Sequence, residues 1–382
     1  MASSRWGRLL IVTATLLTLV AASEVAGAFA PKIPFLSVAG ATIQFFVDWP
    51  WTVILALVGG GLAFRHWRRG RGGYAAVLMG IAAATAAGAM VITAQIVAAV
   101  DGAGTAVRVL GALNPVPVRP ETAPEDVTYL TEDGTPLVLS VFRPRASTAG
   151  AVVPVLFNVH GGGWTGGSRK NQTAEWAWFA RQGWLVISVD YALSSETRHL
   201  WNVVPGELGC ALAWVATHAT QYGGDAERLA LTGGSAGGNL AINAAYMANA
   251  GTLPSACGGT VPRVRAVSAL VPGVTPADLY DGTVPFFGSG DRKLLDAYTG
   301  GSPTQYPDRY RFVSAEAHLS DQTPPTLLLA AASTTSPRRR ASIASRRWPR
   351  PGVSRSGWSI FPTATTASPR HRTGSARRRT GS

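Results

Sequence analysis

Leu229-Ala230-Leu231-Thr232-Gly233-Gly234-Ser235-Ala236-Gly237-Gly238-Asn239-Leu240 is the stretch that decides the architecture. A β-rich run, Leu229 to Thr232, gives way at once to glycines and then to a helical pattern over Ala236 to Ala250. Gly-x-Ser-x-Gly between a strand and a helix is the pattern of a sharp turn that projects one hydroxyl, with glycines where a side chain would clash. By itself it also fits an ordinary glycine-rich turn. Upstream, His160-Gly161-Gly162-Gly163-Trp164 ends the continuous apolar run Val152 to Val159. Its glycines allow backbone N–H groups to converge on an oxyanion, joined by the N–H of Ala236. A phosphate cradle would need a Walker lysine or a Rossmann spacing, and neither is present.

Working outward, β-rich and helical runs alternate. Val127 to Leu130 and Leu137 to Phe142 flank Glu132-Asp133-Gly134 as a hairpin. A helix near Thr173 to Gln182, a strand Leu185 to Asp190 and a helix Val204 to Thr220 precede the deciding stretch, and strands Val264 to Val271 and Thr326 to Ala330 follow it. The alternation predicts a mostly parallel sheet with helices on both faces.

The motifs together carry a resemblance. With Asp190-Tyr191 after a strand and Tyr222-Gly223-Gly224-Asp225, residues 125–332 resemble an α/β-hydrolase of the hormone-sensitive-lipase-like carboxylesterase group. The resemblance implies ester hydrolysis through an acyl-serine intermediate, with Ser235 as nucleophile. The N–H groups of Gly162, Gly163 and Ala236 would form the oxyanion hole, and His160 would be structural. It calls for no cofactor and no metal. Residues 272–323, with Phe286, Phe287, Tyr298, Tyr306 and Tyr310, are either a cap-like insertion shaping the substrate pocket or an ordinary surface insertion. Cys210 and Cys257 either pair, if the domain lies outside the cytoplasm, or are two buried thiols.

The pattern is incomplete downstream. This fold orders its triad as serine, acid, histidine. After Asp321 there is no Asp or Glu, and after His318 the only histidine is His371, among Pro369, Arg370 and Arg372. Asp321 and Glu316 precede the strand at Thr326, at its wrong end. Neither triad partner is assignable. The rival to an esterase is therefore a non-catalytic, membrane-anchored protein that keeps the fold as a binding module.

Composition is read in the same light. Of 382 residues, 47% are hydrophobic and 14% charged, which points to a membrane portion beside a globular one. The formal charge is +13, yet residues 333–382 hold twelve of the 34 basic residues and no acid. The other 22 basic residues face 21 acidic ones, so the body is nearly neutral and overall charge is no argument for nucleic acid. Two cysteines exclude a disulfide scaffold and multi-cysteine zinc patterns.

Residues 1–104 form the expected membrane region, with spans near 9–30, 45–64 and 74–100. The basic segment Arg65-His66-Trp67-Arg68-Arg69-Gly70-Arg71 is expected as a cytoplasmic loop. Three spans then leave the hydrolase domain outside the cytoplasm, in a multi-pass protein of the cell membrane whose partners are the bilayer and an ester substrate. The first stretch also fits a signal peptide, and the second an interfacial segment. Residues 105–124, with Pro115, Pro117, Pro120 and Pro124, read as an extended linker.

The tail 333–382 reads as basic, low-complexity and disordered in its written form. It lacks Leu, Met, Asp, Glu, Lys, Asn, Gln, Tyr and Cys. That is the composition of GC-rich coding sequence read out of frame. In one consistent shift, and with the wobble bases free, Ser333-Thr334-Thr335-Ser336 can read Val-Asp-His-Leu, and Thr363-Ala364-Thr365-Thr366-Ala367-Ser368 can read Tyr-Gly-Asp-His-Gly-Phe. A frameshift near Ala331 or Ala332 would thus have replaced the segments carrying the acid, at the Thr334 codon, and the histidine, at the Thr366 codon.

Overall fold

The computed structural model describes residues 2–30, 49–70, 72–102, 122–145, 152–281 and 289–329, with isolated positions between 30 and 49 and at 120. Most of the linker, the segment 282–288 with Phe286 and Phe287, and the whole 333–382 tail, including Thr334, Thr366 and His371, lie outside the described residues.

Three helices come first: α1 (Ala2–Phe29), α2 (Trp49–Gly70) and α3 (Gly73–Gly102). Two helical stretches, Arg5–Phe29 and Gly73–Gln95, are long and apolar enough to cross a membrane by length and composition, and α2 is not among them. Of the expected second span, 45–64, residues 45–48 lie outside the described residues and the rest is helical. Its helix begins at Trp49 and continues through Arg69, so the expected basic loop is the last turns of a helix. Arginine is a good helix former and suits the negative end of the helix dipole, which explains the extension.

Contacts between the helices are built from small and polar groups. Ala14, Ala21, Ala56, Ala63 and Ala89 are fully buried. Thr52 donates a hydrogen bond to the Glu24 carboxylate, and the Thr15 and Tyr74 hydroxyls lie 2.9 Å apart. Large apolar side chains turn outward: Leu9, Leu16, Leu57 and Val77 are all more than half exposed.

The second unit is a seven-stranded sheet of order β1-β2-β4-β3-β5-β6-β7. The strands are β1 (Glu125–Glu132), β2 (Thr135–Phe142), β3 (Val153–Val159), β4 (Leu185–Val189), β5 (Gly224–Gly234), β6 (Ala266–Leu270) and β7 (Thr326–Leu329). The β1–β2 and β2–β4 pairs are antiparallel, and all others are parallel. Asp133 and Gly134 both take positive φ, 48° and 75°, the conformation a two-residue hairpin turn requires.

Three helices alternate with these strands in the order β3, α4 (Thr173–Arg181), β4, α5 (Val204–His218), β5, α6 (Ala236–Ala250), β6. β3 and β4 are apolar and buried on both faces, as central parallel strands must be. One face carries the main core, in which Phe157, Leu229, Leu231, Leu208, Leu212 and Ile242 have no measurable exposure or nearly none. The other face packs Leu156 and Val186 against Trp176 and Ala180 of α4. The insertion contributes α7 (Pro276–Tyr280), α8 (Ser289–Thr299) and α9 (Pro307–Phe312).

Coverage is uneven. Register pairs Thr232 with Ser268 and Leu327, and Gly234 with Leu270 and Leu329, on the α4 side of the sheet. Among the described residues no helix covers this strip, and Leu270 and Leu327 remain 41% and 38% exposed.

Candidate active site

The site is built where β5 hands over to α6. Ser235 has φ 53° and ψ −121°, a conformation that L-residues adopt only when surrounding structure enforces it. Two bonds do so: the Ser235 N–H donates to the Leu270 carbonyl (2.8 Å), and the Asn239 N–H to the Ser235 carbonyl (3.1 Å). Asn239, fully buried, fixes the first turn of α6 by donating its amide to the carbonyls of Gly273 (2.9 Å) and Val313 (2.8 Å). Glycines are needed because α6 comes down on the end of β3. A Cβ at Gly237 would strike the carbonyls of Val159 and His160.

The His160–Trp164 loop lies directly against this turn. A Cβ on Gly161 would stand 2.7 Å from the Gly234 carbonyl oxygen and 3.6 Å from the Ser235 Cβ. Gly162 and Gly163 adopt φ 133° and 60°, and the Gly162 carbonyl folds back to accept from the Thr165 (3.1 Å) and Gly166 (3.0 Å) N–H groups. That turns the loop's amides away from its own carbonyls. Among the described residues, the N–H groups of Gly162, Gly163 and Ala236 donate to no partner. The two motifs separated by some seventy residues of sequence are thus neighbours in space.

His160 supports the loop from behind. It is buried and stacked on Tyr191 with centroids 4.3 Å apart, and its Nδ1 donates to the Gly161 carbonyl (2.8 Å). Burial lowers its pKa, which favours the neutral ring. The Tyr191 hydroxyl donates to the His160 carbonyl (3.0 Å). Asp190 accepts both the Arg169 N–H and its guanidinium, each at 2.6 Å, and Arg169 reaches on to Asp126 at 2.7 Å. The hydrogen bond from Arg169 holds the Asp126 carboxyl below its usual pKa, so this tie between the loop, β4 and β1 stays charged. At the other motif the Asp225 carboxylate accepts from the Glu227 N–H (2.9 Å) and Arg228 (2.7 Å), closing the turn that begins β5.

The front wall comes from the insertion. Trp164 stacks on Tyr298 of α8 (4.8 Å between centroids), and the Leu294 side chain lies where a Cβ on Gly163 would be. Leu294 was not legible in the sequence. It is one of two adjacent leucines in the otherwise polar helix Ser289–Thr299, and only the fold brings it to the loop.

No proton acceptor stands beside Ser235 among the described residues. Of the domain's other histidines, His199 bonds the Ala297 carbonyl (2.8 Å), His218 the Trp214 carbonyl (3.0 Å) and His318 the Phe312 carbonyl (2.6 Å). Asp321 and Glu316 precede β7, whose far end, Leu329, is the one paired with Leu270 beside Ser235. The sequence has no Asp or Glu after Leu329 to take the acid's place, and His371 falls outside the described residues. Among the described residues no group of three or more His, Cys, Asp or Glu side chains is placed to hold a metal ion. Away from the site, Cys210 and Cys257 form a disulfide, with Cα atoms 5.3 Å apart.

Residues 139–336 match the sequence profile of the family described as BD-FAE. The chain is 34% identical over 175 residues to a probable carboxylic ester hydrolase of Mycobacterium tuberculosis, LipM, covering 45% of this chain and 36% of that one. It is 35% identical over 113 residues to the esterase LipQ of the same organism, covering 29% of this chain and 26% of that one. Its match thus spans about a third or less of the length of these relatives. Among solved structures, esterase 2 of Thermogutta terrifontis aligns at 21% identity and a TM-score of 0.43, covering 55% of this chain and 72% of that one.

Proposed function

The chain belongs to the BD-FAE family, and from that footing we propose that it is a membrane-attached carboxylic-ester hydrolase whose nucleophile is Ser235. The observation that carries the reading is the placement of Gly161 against Ser235, with three undonated amides around it. In the proposed step the Ser235 Oγ attacks the ester carbonyl carbon and the C=O electron pair moves onto oxygen. The N–H groups of Gly162, Gly163 and Ala236 stabilise that oxyanion. Collapse expels the alcohol and leaves an acyl-serine, which water then cleaves to release the acid and restore the hydroxyl. Leu294, Trp164 and Tyr298 wall the site on the side of the Gly163 amide.

The serine proton needs an acceptor, because an unassisted hydroxyl is a weak nucleophile at neutral pH. On our reading the acid and the histidine belong to the segments at the Thr334 and Thr366 codons in the shifted frame, and the written chain is impaired. A serine-directed fluorophosphonate and short p-nitrophenyl esters test this. The frame-restored chain should be labelled and should turn over at least ~10⁴-fold faster than the written one. Ser235→Ala should abolish the labelling. Equal rates from both frames, or labelling that survives Ser235→Ala, would overturn the assignment. The DNA around codons 328 to 336 tests the frameshift itself.

Membrane attachment is supported by the inverted packing of the three helices, small inside and large apolar outside, which suits lipid rather than water. Exposed aromatics mark two levels: Trp6 and Tyr74 at one end, Phe29 and Trp51 at the other. Their separation, about 35 Å from Trp6 to Phe29 at 1.5 Å per residue, is close to the ~30 Å of a bilayer core. The arginine-rich end would face the cytoplasm and the hydrolase domain the other side.

A further inference from the structure

The three N-terminal helices fix which charges share an end. A Cβ on Gly7 would lie 4.0 Å from the His66 ring, one on Gly59 would meet Thr18, and Thr52 bonds Glu24. α2 therefore runs antiparallel to α1, and its last turns lie beside the first turns of α1. The Thr15–Tyr74 contact places the start of α3 toward this end too. Arg5 and Arg8 from α1 and Arg65, Arg68 and Arg69 from α2 are consequently gathered at one end, and all five are exposed.

Among the described residues no ion pair joins any of the five guanidiniums, and the acidic residue of α1, Glu24, lies farther along the bundle beside Thr52. Exposed Trp6 and Tyr74 and half-buried Trp67 stand at the same level, with Trp67 stacked on Phe64 at 6.0 Å. Aromatic side chains of this kind settle at the headgroup boundary, while arginine forks match phosphate oxygens.

We infer that this end of the bundle is a binding surface for anionic phospholipid headgroups, held by Arg5, Arg8, Arg65, Arg68 and Arg69. Ordinary charge bias would place cations here for orientation alone. Five exposed guanidiniums from two helices, at one end of the bundle without a counter-charge and beside an aromatic belt, also offer a cluster of donors to phosphate. The inference rests on the proposed membrane attachment and goes beyond it by naming the lipid class.

The test uses the full chain purified in mild detergent, where orientation plays no part. Native mass spectrometry follows its complexes with phosphatidylglycerol and with phosphatidylcholine of the same acyl chains. Phosphatidylglycerol should be retained at least ~10-fold better. The preference should vanish when all five arginines become Gln, persist when they become Lys, and withstand competition by free glycerol 3-phosphate. Equal retention of both lipids, survival of the preference in the Gln variant, or displacement by glycerol 3-phosphate would overturn it. Alkaline carbonate extraction of membranes separates the two ideas. Release of the wild-type chain refutes membrane attachment itself, whereas a retained chain without lipid preference refutes only the headgroup surface.

Discussion

The carboxyl groups of Glu132, at the end of β1, and Glu207, in the first turn of α5, lie against each other. Glu132 Oε2 and Glu207 Oε1 are buried and accept from no donor among the described residues, so a proton on one carboxyl, donated to the other, would satisfy both. The other Glu207 oxygen accepts the Ala192 N–H at 2.8 Å, next to Tyr191 and hence to the support of His160.

Burial, reinforced by Glu132, pushes the Glu207 pKa up to about 8, with Arg198 acting weakly in the opposite sense. Burial, with the Glu207 charge adding to it, raises the pKa of Tyr129 and Tyr191 and keeps both neutral. A raised carboxyl pKa means that the folded state binds the proton more tightly. Its stabilisation is complete below the ordinary value of 4.5 and is lost as pH rises to about 8. The melting temperature should therefore fall between pH 5 and pH 8. In Glu207→Gln the amide donates to Glu132 while its carbonyl still accepts from Ala192. That variant should lose most of this pH slope and melt at least ~4 °C above wild type at pH 8. A wild-type slope retained in the variant would place the effect elsewhere.

Gly237 offers a steric test of the serine turn. A methyl group there would meet the backbone carbonyls of Val159 and His160, and neither can yield without moving β3. Gly237→Ala should cost roughly 2–3 kcal/mol in denaturant unfolding and displace Ser235 from the Gly162–Gly163 amides. Gly134→Ala, where the added Cβ meets nothing but φ is 75°, should cost only about 1 kcal/mol and leave the site intact. Equal costs would mean that conformation, rather than close packing, is what Gly237 supplies.

How much of this was legible depends on range. β3 announces itself as an unbroken apolar run because both its faces are covered, and the turn at Ser235 because only glycines tolerate the approach of α6 to β3. Both are local consequences of burial and backbone space. The strands are longer or shorter than their apolar cores: β5 runs from Gly224 to Gly234 because partners β3 and β6 extend its pairing beyond Leu229–Thr232. The Glu132–Glu207 pair is different. Glu207 is conspicuous as the one acid in the helix Val204–His218, yet its partner lies 75 positions upstream and no periodicity connects them. Leu294 was hidden for the same reason. Helix α2 runs on past its apolar stretch because hydropathy ends where the arginines begin, while backbone hydrogen bonding does not.

The disulfide closes a loop with a sequence separation of 47 between Cys210, sealed in the core, and Cys257, on the surface. Chain-entropy reasoning for a loop of that length gives about 4 kcal/mol, with 2–4 kcal/mol typical in practice. Cys257→Ser should lower unfolding free energy by that amount, and reductant should match it in wild type and do nothing further to the variant. A chain isolated with both thiols free would argue against an oxidising compartment for this domain.

Leu327 tests whether the open strip on the α4 side of the sheet is a liability. It sits in the edge strand, 38% exposed, beside Leu270 at 41%. In the written chain, Leu327→Lys should change unfolding free energy by less than about 0.5 kcal/mol, because the side chain is already half in water. It should also slow aggregation by placing a charge on an apolar edge. In the frame-restored chain the same substitution should cost several times more, since restored sequence after β7 would have this strip to cover. Light scattering and denaturant titration of the four proteins decide it. A Lys variant that destabilises both frames equally would mean that the strip is covered in the written chain as well, and that the tail, as written, folds onto the sheet.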